Sequence, residues 1–150
     1  MVRWTIFLGG LAFIAPAGAC WEEAASRYQV TPTLLYAIAR TESSLNVKAV
    51  NRNPDGSVDI GLMQVNSRWL PQLAAYGIES RNLWDACTNI HIGAWILAQN
   101  TQRLGFTWEA IGAYNARSPS KRIAYAWKVY RNLVSHDTGA AIVSITARAE

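Results

Sequence analysis

The stretch LLYAIARTESSLN, residues 34–46, is followed by a polar turn and then by DIGLMQVN, residues 59–66. Thr31 stands where an N-cap belongs and Pro32 at the first helical position, so a helix is expected through the first segment. On a 3.6-residue period Leu35, Ile38, Ala39 and Glu42 share one stripe, which puts the carboxyl of Glu42 on the apolar face. The residues three and four positions away are Ile38, Ala39, Leu45 and Asn46, and none is a cation. Burial and the nearby helix C-terminus both disfavour the charged carboxylate. A carboxyl so placed keeps its proton towards neutral pH, as a general acid must. The plain alternative is a solvated or ion-paired glutamate, and one helix does not decide between them.

The 150 residues suffice for one domain with a real core, and a composition of 51% apolar and 16% charged residues is that of a globular chain. The net charge of +4 is spread along the sequence, without a Lys/Arg cluster interleaved with aromatics. That balance suits an anionic polymer such as a cell wall and does not amount to a nucleic-acid footprint. Residues 1–19 have the form of a signal peptide: Arg3 in front, an apolar run from Trp4 to Ile14, and Ala17-Gly18-Ala19 as a small-residue cleavage site. Periplasmic export is therefore expected. Cleavage after Ala19 leaves Cys20 first, but the Leu that a lipidation signal places three residues earlier is missing. Cys20 and Cys87, an even pair in an exported chain, are expected to form one disulfide. Cys20, Cys87 and His91 do not have the spacing of a zinc site, so no metal and no other cofactor is expected.

Helical spacing recurs along the remainder. Trp21, Ala24, Ala25 and Tyr28 form a short first stripe, and Asp85 to Leu104 a long one ended by Gly105. Thr107 can cap a helix over TWEAIGAYNA, and Ser118-Pro119 can open a last helix on which Ile123, Trp127 and Tyr130 share a core-like face. Asn53-Pro54-Asp55-Gly56 is turn chemistry, allowing at most a small β-hairpin near residues 51–59. The expected fold is all-α, with a domain over residues 20–133 and a flexible tail over residues 134–150.

ARTESSLN, DIGLMQVN and IGAYNAR, in that order, resemble the motifs of the soluble lytic transglycosylase (SLT) domain, whose fold is that of goose-type lysozyme. The resemblance covers about Cys20 to Leu133. CWEEAASRY and DACTNI resemble a narrower branch, the small transglycosylases that accompany type III secretion, type IV secretion, conjugation and pilus systems. It implies a monomeric enzyme acting on peptidoglycan glycan strands, partnered by components of such a machine, with no nucleic acid involved. It also implies that Glu42 cleaves the bond between N-acetylmuramic acid (MurNAc) and N-acetylglucosamine (GlcNAc) as acid and then base, closing a 1,6-anhydro ring. Ser43 would orient Glu42 or the sugar, and Gly61 would admit a close ligand. Met63, Gln64 and Asn115 would lie along the cleft. Tyr114 would bond the catalytic carboxyl, and Tyr125 would touch substrate. The chain departs from the pattern at Ala116-Arg117-Ser118-Pro119, where a Gly is common, which implies a stiffer and more basic cleft edge. Ordinary glycosidases need two carboxylates. Asp59 is the nearest candidate in the motifs, ahead of Asp55 and Glu79, and it leaves open a hydrolytic muramidase. A non-catalytic wall-binding assembly factor is the third possibility.

Overall fold

The computed structural model describes the backbone of residues 17–146 and the side chains of residues 20–135. Most of the expected leader lies outside the described residues. The helices are α1 (Ala17–Tyr28), α2 (Pro32–Ser43), α3 (Leu70–Leu73), α4 (Ala86–Leu104), α5 (Trp108–Gly112) and α6 (Pro119–Thr146). Three short strands stand between α2 and α3: β1 (Val50–Arg52), β2 (Val58–Ile60) and β3 (Val65–Asn66). The fold is predominantly helical, as the spacing predicts. The hairpin at β1 and β2 gains a third antiparallel strand, β3, which a two-residue stretch is too short to announce by alternation.

Helix starts follow the capping residues. The Thr31 hydroxyl accepts from the Leu34 amide at 3.2 Å, Asp85 from Thr88 at 2.8 Å, and Thr107 from Ala110 at 3.2 Å. Each cap satisfies a backbone donor that the first turn leaves without a partner. The end of α2 is a left-handed residue, Ser44, whose amide donates to the Arg40 carbonyl at 3.1 Å. Between β1 and β2, Gly56 takes a φ of 82°, which suits glycine and lets the chain reverse within four residues.

The core gathers Leu35 and Ile38 of α2, Leu97 of α4, Val129 of α6, and Met63 and Val65 from the loop and strand beside the sheet. Asn89, buried on α4, ties this assembly together. Its amide donates to the carbonyls of Ile60 and Leu83 at 2.9 and 2.8 Å, and its oxygen accepts from the Met63 amide at 2.7 Å. The buried side-chain amide thus finds partners in three segments of chain, as low-dielectric burial demands. A disulfide joins Cys20 on α1 to Cys87 on α4, with Cα atoms 5.4 Å apart.

Two expectations about the last helix change. Ile123, Trp127 and Tyr130 share a face, but it is exposed, at 62%, 58% and 41%. The buried stripe of α6 is instead Tyr125, Ala126 and Val129, which packs where α6 meets α2 and α5. Nor does an element end at Leu133, for α6 continues to Thr146. Side chains beyond Ser135, and with them most of the expected tail, lie outside the described residues.

Candidate active site

The last turn of α2 delivers Glu42 to a cleft of about 840 Å3. The sheet forms one wall through Asn51, Asp59 and Asn66, and α5 with its following loop forms the other through Tyr114, Asn115 and Arg117. Behind Glu42 the backbone is unusual. Ser44 and Leu45 are both left-handed, at φ 53° and 66°, and Gln64 across the cleft is at 50°. Non-glycine residues in this region cost about 1–3 kcal/mol each. Three of the four such residues described, the other being Gln29, surround the carboxylate, so packing around Glu42 fixes a local backbone that the chain would not choose alone.

Tyr125 donates its hydroxyl to Glu42 Oε1 at 2.5 Å. Burial is the largest influence on this carboxyl and raises its pKa from 4.5 to about 7. The hydrogen bond from Tyr125 pulls the other way, the negative charge of Asp59 adds to the rise, and Asn115 and Lys128 oppose it. Burial and the adjoining carboxylate also push the Tyr125 phenol well above its usual range, so it remains a donor. A carboxyl whose pKa is pushed up to about 7 can both give and take a proton near neutral pH.

Tyr114 does not bond the carboxyl. Its hydroxyl donates to the Met63 carbonyl at 2.9 Å, while its ring stacks on Tyr125 with centroids 6.5 Å apart. Tyr125 thus takes the part that the motifs imply for Tyr114. Tyr114 braces the loop and Tyr125 holds the acid. Sequence spacing could not separate them, because Tyr114 lies in the turn after α5, Tyr125 lies on α6, and which one meets Glu42 depends on how those elements dock.

Other site expectations divide similarly. Ser43 donates to the Leu62 carbonyl at 2.7 Å and also reaches the Ala39 carbonyl at 3.2 Å, so it ties α2 to the loop. Gly61 has a φ of 78°, and a Cβ there would lie 2.6 Å from the Asn89 amide. Close packing against Asn89 of α4 and the Leu83 carbonyl requires this glycine. Met63 is fully buried against Gly93 and belongs to the core. Gln64 lines the cleft, with its amide donating to the carbonyls of Gly61 and Ala49 at 2.9 and 3.1 Å. Asn115 lines it too.

Asp59, a secondary candidate in the sequence, occupies the same cleft. Asn66 donates to its Oδ1 at 2.6 Å, and Asn53 and Asn51 donate to Oδ2 at 2.9 and 3.1 Å. Three amides aimed at one carboxylate fix its orientation. The asparagines were not singled out in the sequence. The available signal was their pairing: Asn51 and Asn66 are the cross-strand partners of Asp59 on either side. Among the described residues, no group of three or more His, Cys, Asp and Glu side chains is placed to hold a metal ion.

A glutamate with a raised pKa in a polar cleft of a helical domain defines a candidate glycan-cleaving class. The Transglycosylase SLT domain family matches residues 19–126, and the chain belongs to it. It is 42% identical over 118 residues to Invasion protein IagB of Salmonella typhi, covering 75% of this chain and 74% of that protein. Protein IpgF of Shigella flexneri is 41% identical over 128 residues, covering 81% and 84%. The crystal structure of an inactive mutant of the lytic transglycosylase Slt from Pseudomonas aeruginosa superimposes with a TM-score of 0.65. That likeness has 21% identity and spans 82% of this chain but 24% of Slt, so it speaks to the fold.

Proposed function

We propose that the protein is an exported peptidoglycan lytic transglycosylase that acts in the periplasm. It opens the wall locally for a secretion, conjugation or pilus apparatus. The observation that carries the chemistry is Glu42, held near a pKa of about 7 by burial and oriented by Tyr125 in an open polar cleft. Protonated Glu42 gives its proton to the oxygen linking MurNAc to GlcNAc, and the C1–O bond breaks. The resulting carboxylate takes the proton of the MurNAc C6 hydroxyl, whose oxygen bonds to C1. The products are a free GlcNAc 4-hydroxyl and a 1,6-anhydro-MurNAc end, with no water consumed. One carboxyl serves both steps, and its pKa suits both directions. The name of IagB, an invasion protein, accords with service to a secretion machine.

The placement of Asp59 supports a second reading. A carboxylate oriented by three amides could stabilise positive charge at C1 or activate water, which would make the enzyme a hydrolytic muramidase. Digestion of purified peptidoglycan followed by mass spectrometry separates the readings. Anhydromuropeptides lighter by one water, and absent with Glu42→Gln, are the expected result. Reducing-end muropeptides would move the assignment to the muramidase. Unchanged digestion by Glu42→Gln would remove Glu42 from the mechanism.

A further inference from the structure

Where α2 meets α6, a second concavity of about 600 Å3 opens beside Glu42. The exposed Arg40, Lys128 and Arg131 line it, together with Asn132 and Thr41, which are joined by a hydrogen bond of 2.8 Å from the Asn132 amide. No carboxylate lines it. None of the three cations has an ion-pair partner among the described residues, whereas Arg68 in the main cleft is paired with Asp55 at 2.8 Å. Three like charges gathered on one concave surface repel each other and concentrate a positive field there. Complementing the C-terminal carbonyls of α2 accounts for one of them, since that effect is confined to the last turn.

The position relative to Glu42 matters. Thr41 and Ser44, which line the concavity, bracket Glu42 in the chain, and Lys128 lies close enough to draw the Glu42 pKa downward. The main cleft runs from Glu42 towards the sheet and α5. A glycan cut at Glu42 has to extend to both sides of the bond, so its other arm needs a surface as well. Uncharged sugars give three cations little to hold. The peptide stem on muramic acid carries free carboxylates, which arginine can bind through paired N–H donors.

We propose that the Arg40–Lys128–Arg131 concavity is a subsite for the carboxylates of a peptide stem, carried by the glycan arm beyond the bond that Glu42 cleaves. The inference rests on the transglycosylase reading for the place of cleavage, and adds that the enzyme selects strands bearing acidic stems.

The test uses wall strands with intact stems and the same strands stripped by an amidase, which removes the stem's own carboxylates and leaves one shorter lactyl carboxylate on each MurNAc. Arg40→Gln with Arg131→Gln leaves Lys128, which also faces Glu42, in place. This double variant is expected to lower kcat/KM about tenfold on stem-bearing strands, the scale of lost charge-assisted hydrogen bonds, and to change it less than twofold on stripped ones. Arg40→Lys with Arg131→Lys should recover most of the loss. An equal loss on both substrates, or none on either, overturns the subsite. Cleavage of stripped strands by the unaltered protein reports the catalytic centre separately. If neither substrate is cut, the transglycosylase reading fails and sedimentation with the two kinds of wall decides the subsite. Arginine-dependent retention on stem-bearing wall alone supports it, and retention indifferent to the arginines overturns it.

Discussion

A carboxyl whose pKa rises on folding costs stability wherever it is charged. Glu42 moves from 4.5 to about 7, so between those pH values the folded chain binds more protons than the unfolded one. Stability from this group is therefore fully present below about pH 4.5 and is lost as the pH rises through about 7. The full difference is about 3 kcal/mol at alkaline pH. Glu42→Gln keeps the shape, removes the charge and should stabilise the protein by up to that amount at pH 8, with little change at pH 4. Denaturant unfolding at both pH values measures it, and equal stability changes at the two would show that the pKa is not raised. Tyr125→Phe makes a companion prediction. The hydrogen bond lowers the Glu42 pKa, so its loss should raise that pKa and shift the alkaline limb of the rate–pH profile upward. A fall in rate with an unmoved limb would leave Tyr125 only a packing role. Helical period placed Glu42 on the apolar face of α2, and the motif resemblance, rather than the helix alone, made it the candidate acid. The sequence did not disclose which tyrosine reaches the carboxyl, since that contact spans 83 positions and depends on how α6 docks.

The same distinction governs elements. Period tells which residues share a face, but not what the face meets. On α6, Ile123, Trp127 and Tyr130 have the spacing of a core stripe and lie exposed, beside Trp108 of α5, around an apolar groove of about 430 Å3. Tyr130 meets both tryptophans edge to face, with centroids 5.6 and 5.5 Å away. Val129, one position from Tyr130, is fully buried. Val129→Ala should therefore destabilise the fold by about 2 kcal/mol through lost burial and a cavity, and Trp127→Ala by less than about 1 kcal/mol despite deleting a larger side chain. Urea midpoints of the two variants test the ordering, and a larger loss at Trp127 would restore its face to the core. Helix caps were legible for the opposite reason. Thr31 and Thr107 act within three residues, so tertiary docking leaves their geometry unchanged. The amides around Asp59 needed strand register, and the Asn89 hub needed α4, the sheet and the Leu83 turn together.

Across the whole molecule, the covalent link runs between the two helices that bear Cys20 and Cys87. A cross-link between residues 67 apart restricts the unfolded chain by about 4 kcal/mol on the loop-entropy argument. The link also has a local effect. It anchors the start of α1, whose buried Ala24 and Ala25 contribute small side chains to its packing on α4. Glu42, by contrast, is held by contacts that do not pass through α1: Tyr125 of α6, the Ser43 bond to the loop, and the Asn89 hub on α4. Stability and site geometry should therefore separate when both cysteines become serine. The double variant should melt roughly 10–20 °C lower, in line with a loss of several kcal/mol in a domain of this size. Well below that temperature it should keep most of its activity on peptidoglycan and the same dependence of rate on pH. Hydrogen exchange should find the faster-exchanging amides in α1 rather than in the last turn of α2. If activity instead falls in step with the loss of α1 protection, the first helix helps shape the cleft, and the separation argued here does not hold.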